Sequence, residues 1–425
     1  MRILLLAMGS RGDVQPMLAL GQRLRREGLT VVVAAAADFG PLVAEHGLDF
    51  EPFSFGIMDG VRSELGQKWL GGTSTSQQRE AYLMRKAVRH LAEPLADDLL
   101  RLADRADAFV SGPLTFEAME VLASRAGKHH VFAMFQPTWP TALGASAAFA
   151  LRPRSTSMLN RLWGWGAAFA AWDVVRSTGG VVRRRLGLAR ASFREYVGAA
   201  RTVPTLLAVS PRIVPPAPEW GANLTTTGFW FVDSATPWEA PPDLARFLSH
   251  GSPPVHLGLG SMATADPGEV VRAFTTALER LGLRGVLDAG WGRLHAEDLP
   301  ETVLPIDGAP HDVLFPQMSV VIHHGGAGTT AAALRAGIPQ VVVPHIADQP
   351  YWGRRVHELG VGAAPIHRKH LSADRLAAAI RAASRPEVQR AATALGEEVR
   401  AEDGVGKAMA AIRAALAKPA QRHTA

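Results

Sequence analysis

The chain contains no cysteine and only three tyrosines among its 425 residues. Without a thiol it can form neither a disulfide nor a thiolate metal site, so packing must hold it together, and a reducing, cytoplasmic location is the expectation. No Asp-x-Asp or His-Glu-x-x-His pattern occurs, so no metal is expected, and protein groups must supply any neutralising charge. Long apolar runs are missing too. The start, Met1 to Met8, is too short for a signal peptide, and the most apolar later stretch, Trp163 to Val175, is broken by Asp173; neither predicts a transmembrane segment. Blocks of one charge are also absent. The 45 basic and 39 acidic side chains leave a net charge of +6 and a pI near 10.0, dispersed along the chain, which argues against a nucleic-acid partner. Basic clusters at Arg23 to Arg26 and Arg183 to Arg185 fall within helical patterns, leaving solvated faces or a peripheral membrane contact as readings. Lastly, the first glycine loop lacks a clean Gly-x-Gly-x-x-Gly, which disfavours a hydride-transferring dehydrogenase.

What is present is alternation. With 47% hydrophobic residues the chain can fill two cores. Ile3 to Ala7 reads as a buried strand, Met8 to Asp13 as a glycine loop, Val14 to Glu27 as a helix stopped by Gly28, and Thr30 to Ala34 as a second strand. Further strands are expected near Asp49 to Phe53, Ala108 to Ser111, His130 to Phe135, Thr205 to Ser210 and Thr225 to Phe231, and a long Gly-, Ser- and Thr-rich stretch fills Gly56 to Ser76. From Gln136 to Gly180 the alternation gives way to Trp139, Trp163, Trp165, Phe169 and Trp172 among alanines and glycines. That stretch reads equally as a helical excursion with core aromatics or as an apolar pocket wall. After a proline-rich linker, 233–242, strands recur at Val255 to Gly258, Arg284 to Ala289, Val303 to Ile306, Val320 to Ile322, Gln340 to Val343 and Ala363 to Ile366. The fold class predicted is α/β, with two Rossmann-like, doubly wound parallel-sheet domains over 1–232 and 243–402. Residues 403–425 are read as a C-terminal helix returning to the first domain, then a polar tail.

The stretch His323-His324-Gly325-Gly326-Ala327-Gly328-Thr329-Thr330 lies between a β-branched run and a helix-forming run. Glycines let backbone N–H groups approach an anion, hydroxyls donate, and the helix N-terminus adds partial positive charge. Such a turn seats a diphosphate, although glycine-rich turns of this kind serve many nucleotide folds.

Gly9-Ser10-Arg11-Gly12-Asp13-Val14-Gln15-Pro16, together with His323 through Asp348-Gln349-Pro350, resembles the family 1 glycosyltransferases of the bacterial natural-product and sterol type, over essentially the whole chain. The resemblance implies the GT-B fold, with two domains facing across a cleft, an acceptor in the first and a nucleotide sugar in the second. It implies inverting transfer of a hexose from UDP-glucose, or from a TDP-sugar, to a hydroxyl of a lipophilic acceptor such as a sterol, polyketide or flavonoid, with no cofactor beyond the nucleotide sugar. Asp13 becomes the candidate general base, although Asp before a helical run is also an N-cap. Ser261, His324, Gly326, Gly328 and Thr329 match donor diphosphate contacts, and for Ser261 a helix-entry turn residue is an equal reading. Asp348 and Gln349 match the acid-amide pair that binds sugar hydroxyls, and Asp348 would also cap the helix at Pro350. Trp291, Ala309 and His311 resemble the nucleoside region, where this chain has Gly308 in place of the plant members' stacking tryptophan. Gln136 and Trp139 fall in the acceptor region. A sugar-nucleotide epimerase and a non-catalytic partner protein remain as other readings.

Overall fold

The computed structural model describes residues 1–56, 77–233, 238–260, 267–288 and 299–420. Ser261, Trp291 and nearly all of the Gly56 to Ser76 stretch therefore lie outside the described residues. The chain divides into two compact units, one taking in the residues up to Val232 and again from Asp403, the other running over Asp233–Glu402.

Unit 1 is built on seven parallel strands, β1 (Arg2–Ala7), β2 (Thr30–Ala35), β3 (Asp49–Pro52), β4 (Ala108–Ser111), β5 (His129–Met134), β6 (Thr205–Leu207) and β7 (Leu224–Thr226), in the order β3-β2-β1-β4-β5-β6-β7. Strand β1 shows why its sequence is apolar at every position from Ile3 to Ala7. Ile3, Leu5 and Ala7 enter one core with Met17, Leu18 and Leu24, whereas Leu4 and Leu6 enter the opposite core with Leu95, Leu99 and Leu102. A strand covered on both faces has no position at which polarity is free. The expected strand Thr225 to Phe231 is shorter than anticipated, because Gly228 adopts φ +108° and turns the chain out of the ladder. The helices are α1 (Arg11–Arg26), α2 (Gly40–Glu45), α3 (Gln77–Ala103), α4 (Phe116–Ala126), α5 (Met158–Arg185) and α6 (Phe193–Thr202). The aromatic-rich stretch thus contains one 28-residue helix.

Unit 2 holds five parallel strands, β8 (Val255–Gly258), β9 (Gly285–Asp288), β10 (Val303–Ile306), β11 (Val320–His323) and β12 (Gln340–Val342), in the order β10-β9-β8-β11-β12. Its helices are α7 (Pro242–Ser249), α8 (Pro267–Leu281), α9 (His311–Leu314), α10 (Ala327–Ala336), α11 (Gln349–Glu358), α12 (Ala373–Ala383) and α13 (Pro386–Arg400). The strand expected at Ala363 to Ile366 does not form. The chain there meets β12 at the bridge between Gln340 and Gly362; Pro365 has no N–H for the next position in register, and the Ile366 amide reaches the Val342 carbonyl instead, at 2.9 Å. The final helix, α14 (Gly404–Leu416), belongs to unit 1, where Ala408, Met409 and Ile412 join the core of α1. No helix among the described residues is long and apolar enough to cross a membrane.

Candidate functional site

A doubly wound sheet opens a crevice where its strand order reverses, at the carboxyl ends of the two strands concerned. In unit 1 the reversal lies between β1 and β4. The loop leaving β1 is Met8-Gly9-Ser10, and Ser10 rather than Asp13 caps α1. Asp13 is the third helical residue, so the expected start at Val14 is corrected by three positions. Its Oδ2 accepts from the Ser10 amide at 2.7 Å and from the Ser10 hydroxyl at 3.1 Å, closing a capping box. Gly9 makes this fold-back feasible: it sits at φ +141°, and a Cβ there would come within 2.2 Å of Asp13 Oδ2. The half-buried Asp13 carboxylate is thus fixed at the switch point by a glycine and a serine. Gln136 follows β5 on the same sheet edge, two strands or about 10 Å away. Trp139 lies further along and lines a cavity of about 380 Å³ with Phe132, Met134, Arg201, Glu219 and Asn223.

In unit 2 the order reverses between β8 and β11, and His324 follows β11. Its ring rests between two glycines. A Cβ on Gly260 would lie 3.1 Å from its Cε1, and one on Gly326 only 2.4 Å from its Nε2. Gly325, at φ +88°, turns beneath, where a Cβ would meet Val342 at 2.6 Å. Gly326 then starts α10 with no side-chain cap and no acidic residue in the first turn. The first amides of that helix are left without a side-chain acceptor, which is the arrangement that favours an anion. Gly328 is exposed with open space around it, whereas Thr330 is buried and donates its hydroxyl to the Gly326 carbonyl at 2.9 Å. Of the two threonines only Thr329 therefore keeps a partly exposed hydroxyl.

Histidines crowd this edge. His323 is fully buried, donates from Nε2 to Gln340 Oε1 at 2.9 Å and accepts the Gly325 amide on Nδ1 at 3.0 Å, which sets its tautomer. Burial holds its pKa down to about 4. His324 is half-buried, but its Nδ1 is shut off from solvent and finds no partner among the described residues. Burial, reinforced by His323, His345 and His311, lowers its pKa to about 3, so the resting ring is neutral. His256 on β8 is buried with both ring nitrogens unpartnered and lies edge-on to Phe315, on whose other neighbour, His311, Phe315 stacks at 4.2 Å. Ala309 and His311 follow β10, so those of the predicted nucleoside, diphosphate and sugar residues that lie among the described residues leave the same edge of one sheet. Four strand spacings separate the outermost of them, about 19 Å.

Asp348 ends the loop after β12. The residue is half-buried, but its carboxyl is turned inward and Oδ2 accepts from Trp352 Nε1 at 2.6 Å. Burial raises its pKa to about 6 against the lowering effect of that bond. Gln349 is buried, and its Oε1 accepts from the His345 and Ile346 amides at 2.7 and 3.0 Å. Its carbonyl therefore shapes the loop, and anything it offers a sugar hydroxyl comes from the amide nitrogen. Between these residues Ala347 holds φ +54°, the left-handed region that alanine rarely adopts. Neither His256, His345 nor Ala347 stood out in the sequence; each acquires its place through strand register or loop closure.

The amino-terminal part matches the glycosyltransferase family 28 N-terminal domain over residues 3–126. Residues 287–408 match the erythromycin biosynthesis protein CIII-like C-terminal domain. The chain is 32% identical to sterol 3-beta-glucosyltransferase UGT80B1 of Arabidopsis thaliana over 97% of its own length and 68% of that protein's. It is 34% identical to O-mycaminosyltylonolide 6-deoxyallosyltransferase of Streptomyces fradiae, covering 97% of each chain. Fungal sterol 3-beta-glucosyltransferases are much longer, and the chain spans 25% of the one from Leptosphaeria maculans. Among solved structures, glycosyltransferase VinC in complex with DTDP superposes with a TM-score of 0.68 at 21% identity, over 98% of this chain and 100% of that one. The two parallel-sheet units, the residues at their switch points and this similarity along the whole length identify the chain as a member of the family 1 glycosyltransferases of the GT-B fold, in the group containing both sterol and bacterial natural-product enzymes.

Proposed function

We propose that this glycosyltransferase moves a hexose from a UDP-sugar, or from a TDP-sugar, to a hydroxyl of a lipophilic small molecule, inverting the anomeric carbon. The observation that carries the reading is the His324 turn: a neutral imidazole with an unpartnered inward nitrogen beside an uncapped helix N-terminus. These groups suit a nucleoside diphosphate as leaving group, since preorganised donors gain most where negative charge develops. In the proposed step the acceptor oxygen bonds to the anomeric carbon as the bond from that carbon to the diphosphate oxygen breaks. The acceptor proton passes to the Asp13 carboxylate, which the Ser10 bonds hold in one orientation. The Asp348 carboxylate takes sugar hydroxyls, while Gln349 keeps the loop in shape. With α10 and His324 carrying the diphosphate, transfer should persist in a chelator. The acceptor class rests on the relatives, one named for a sterol and the other for a tylonolide macrolide.

The test mixes the protein, in EDTA, with UDP-glucose or TDP-glucose and a panel of sterols, macrolides and flavonoids, with products followed by mass spectrometry. A new glycoside supports transfer, whereas an isomerised nucleotide sugar formed without acceptor would replace it with epimerisation. Asp13→Ala should lower turnover by roughly 10²–10⁴-fold, the usual worth of a positioned base, with UDP affinity retained. Unchanged turnover would remove Asp13 from the base role.

A further inference from the structure

Eight large hydrophobic side chains are exposed among the described residues, and six of them, Leu151, Met158, Leu159, Leu162, Trp163 and Phe169, lie within one stretch of unit 1. Leu162 is 63% and Trp163 50% exposed. Scattered exposed apolar residues need no explanation, but a contiguous cluster does. At helical spacing, positions 158, 159, 162, 163, 166 and 170 fall on one side of α5. The opposite side is packed: Asn160 and Gly164 are buried, and a Cβ on Gly164 would meet Pro140 at 3.2 Å. The cluster is also held rigidly. Asn160 accepts from the Arg152 amide at 2.7 Å and donates to the carbonyls of Ala142, Arg152 and Ser155, which pins the loop bearing Leu151, Arg152 and Arg154 onto the first turn of α5. Ser157 caps that turn.

Charge selects the partner. From Leu151 to Trp172 the sequence carries Arg152, Arg154 and Arg161 and no acidic residue. The exposed Arg152 and Arg154 side chains have no acidic partner among the described residues. By contrast, the cluster Arg183 to Arg185, a candidate for membrane contact from sequence, is engaged by Glu93, Asp97 and Glu195 in ion pairs. Tryptophan, phenylalanine and leucine beside unpaired arginines form the chemistry of the boundary between lipid headgroups and acyl chains. Since no helix among the described residues is long and apolar enough to cross a bilayer, the segment would lie on one.

We propose that the surface formed by 151–170 docks unit 1 on an anionic lipid bilayer, with Leu162 and Trp163 entering the headgroup boundary and Arg152 and Arg154 contacting lipid phosphates. This holds whether or not the acceptor is itself a membrane lipid, so it neither needs nor tests the transfer reading.

The experiment is sedimentation of the full chain with vesicles of phosphatidylcholine alone or with 30% phosphatidylglycerol, at low and high salt. At roughly fivefold per arginine, the two exposed arginines should favour anionic vesicles by about 25-fold, and salt should erase most of that. Leu162→Glu/Trp163→Glu should weaken binding more than tenfold at an unchanged circular dichroism spectrum. Should that variant misfold, the missing cysteines offer a second route, because Leu162→Cys and Gln389→Cys each accept one environment-sensitive fluorophore. The label at position 162 should shift to the blue on anionic vesicles, and the one at exposed position 389 should not. Absence of sedimentation, equal binding by the double variant, or a silent label at 162 would each overturn the proposal. So would a dimer that shields the label without lipid, since the patch would then join two copies of the chain.

Discussion

Acid should act on the two units in opposite directions. In unit 2, His256 and His323 are fully buried and their pKa values fall to about 3 and about 4 from an ordinary 6.5. Below pH 6.5 the unfolded chain takes up protons at these rings that the folded chain refuses, so stability declines as pH falls towards the folded values. Between pH 6.5 and 5 each ring removes about 1.6 kcal/mol, or about 3 kcal/mol for the buried pair. His324 and His345, lowered to about 3 and about 4 but only half-buried, add up to as much again. Asp348, raised by burial to about 6, works the other way, because the folded state holds its proton more tightly; it returns about 1 kcal/mol over the same window. In unit 1, burial raises Glu117 to about 7 despite its bond from Trp172, so this group adds between 1 and 2 kcal/mol as pH falls from 6.5 to 5. Hydrogen exchange followed by mass spectrometry separates the units: amides of Val255–Gly258 and Val320–His323 should lose protection at pH 5 after correction for the intrinsic rate, and those of Phe116–Ala126 should not. His256→Leu should flatten the unit 2 response by about a quarter. It should also stabilise unit 2 at neutral pH by about 1 kcal/mol or more, because it removes two buried nitrogens that have no partners. Equal protection of β8 and β11 at pH 7 and pH 5 would refute the reasoning.

Two further substitutions separate stability from binding. Gly328 occupies the first turn of α10 with nothing within 4 Å of a prospective Cβ. Gly328→Ala should therefore raise the melting temperature through roughly 0.5–1 kcal/mol of helix propensity. If a diphosphate rests on this turn, UDP affinity measured by calorimetry should fall in the same variant, and unchanged affinity would move the anion elsewhere. Ala347 pays a left-handed backbone at φ +54°, so Ala347→Gly should stabilise unit 2 by about 1 kcal/mol, read from urea unfolding, with no rise in slope.

Much of this architecture could be read from local pattern. Strands such as Val255–Gly258 are short, largely apolar runs bounded by proline and glycine, and helices such as Ala373–Ala383 begin at a serine cap, so their limits are written within a few residues. The phosphate turn was legible for the same reason, since His324 through Thr329 is one continuous stretch. The shortfalls have different origins. Asp13 looked like the cap of α1, although Ser10-Arg11-Gly12-Asp13 also fits the capping-box spacing, in which Ser10 is the cap and the carboxylate folds back over Gly9. The Ala363 to Ile366 run reads as a short apolar strand, yet Pro365 offers no N–H at the next in-register position on β12 and the Ile366 amide takes the Val342 carbonyl instead.

The acid-amide pair shows most clearly what composition alone conceals. Asp348 and Gln349 are adjacent and both rich in oxygen acceptors, so the sequence treats them as equal ligands for a sugar. The loop divides their work. Gln349 Oε1 is committed to the His345 and Ile346 amides, whereas the Asp348 carboxylate, tied to Trp352, is lifted to a pKa of about 6. A carboxylate poised so close to neutrality is poorly solvated, and a polar hydroxyl brought beside it compensates more than it would beside a solvated one. The same desolvation that makes His324 neutral raises the Asp348 carboxyl, so a donor lying along this sheet edge would meet two groups that are poorly solvated. Loop strain at Ala347 and the glycine slot around His324 are the structural means by which both are held there.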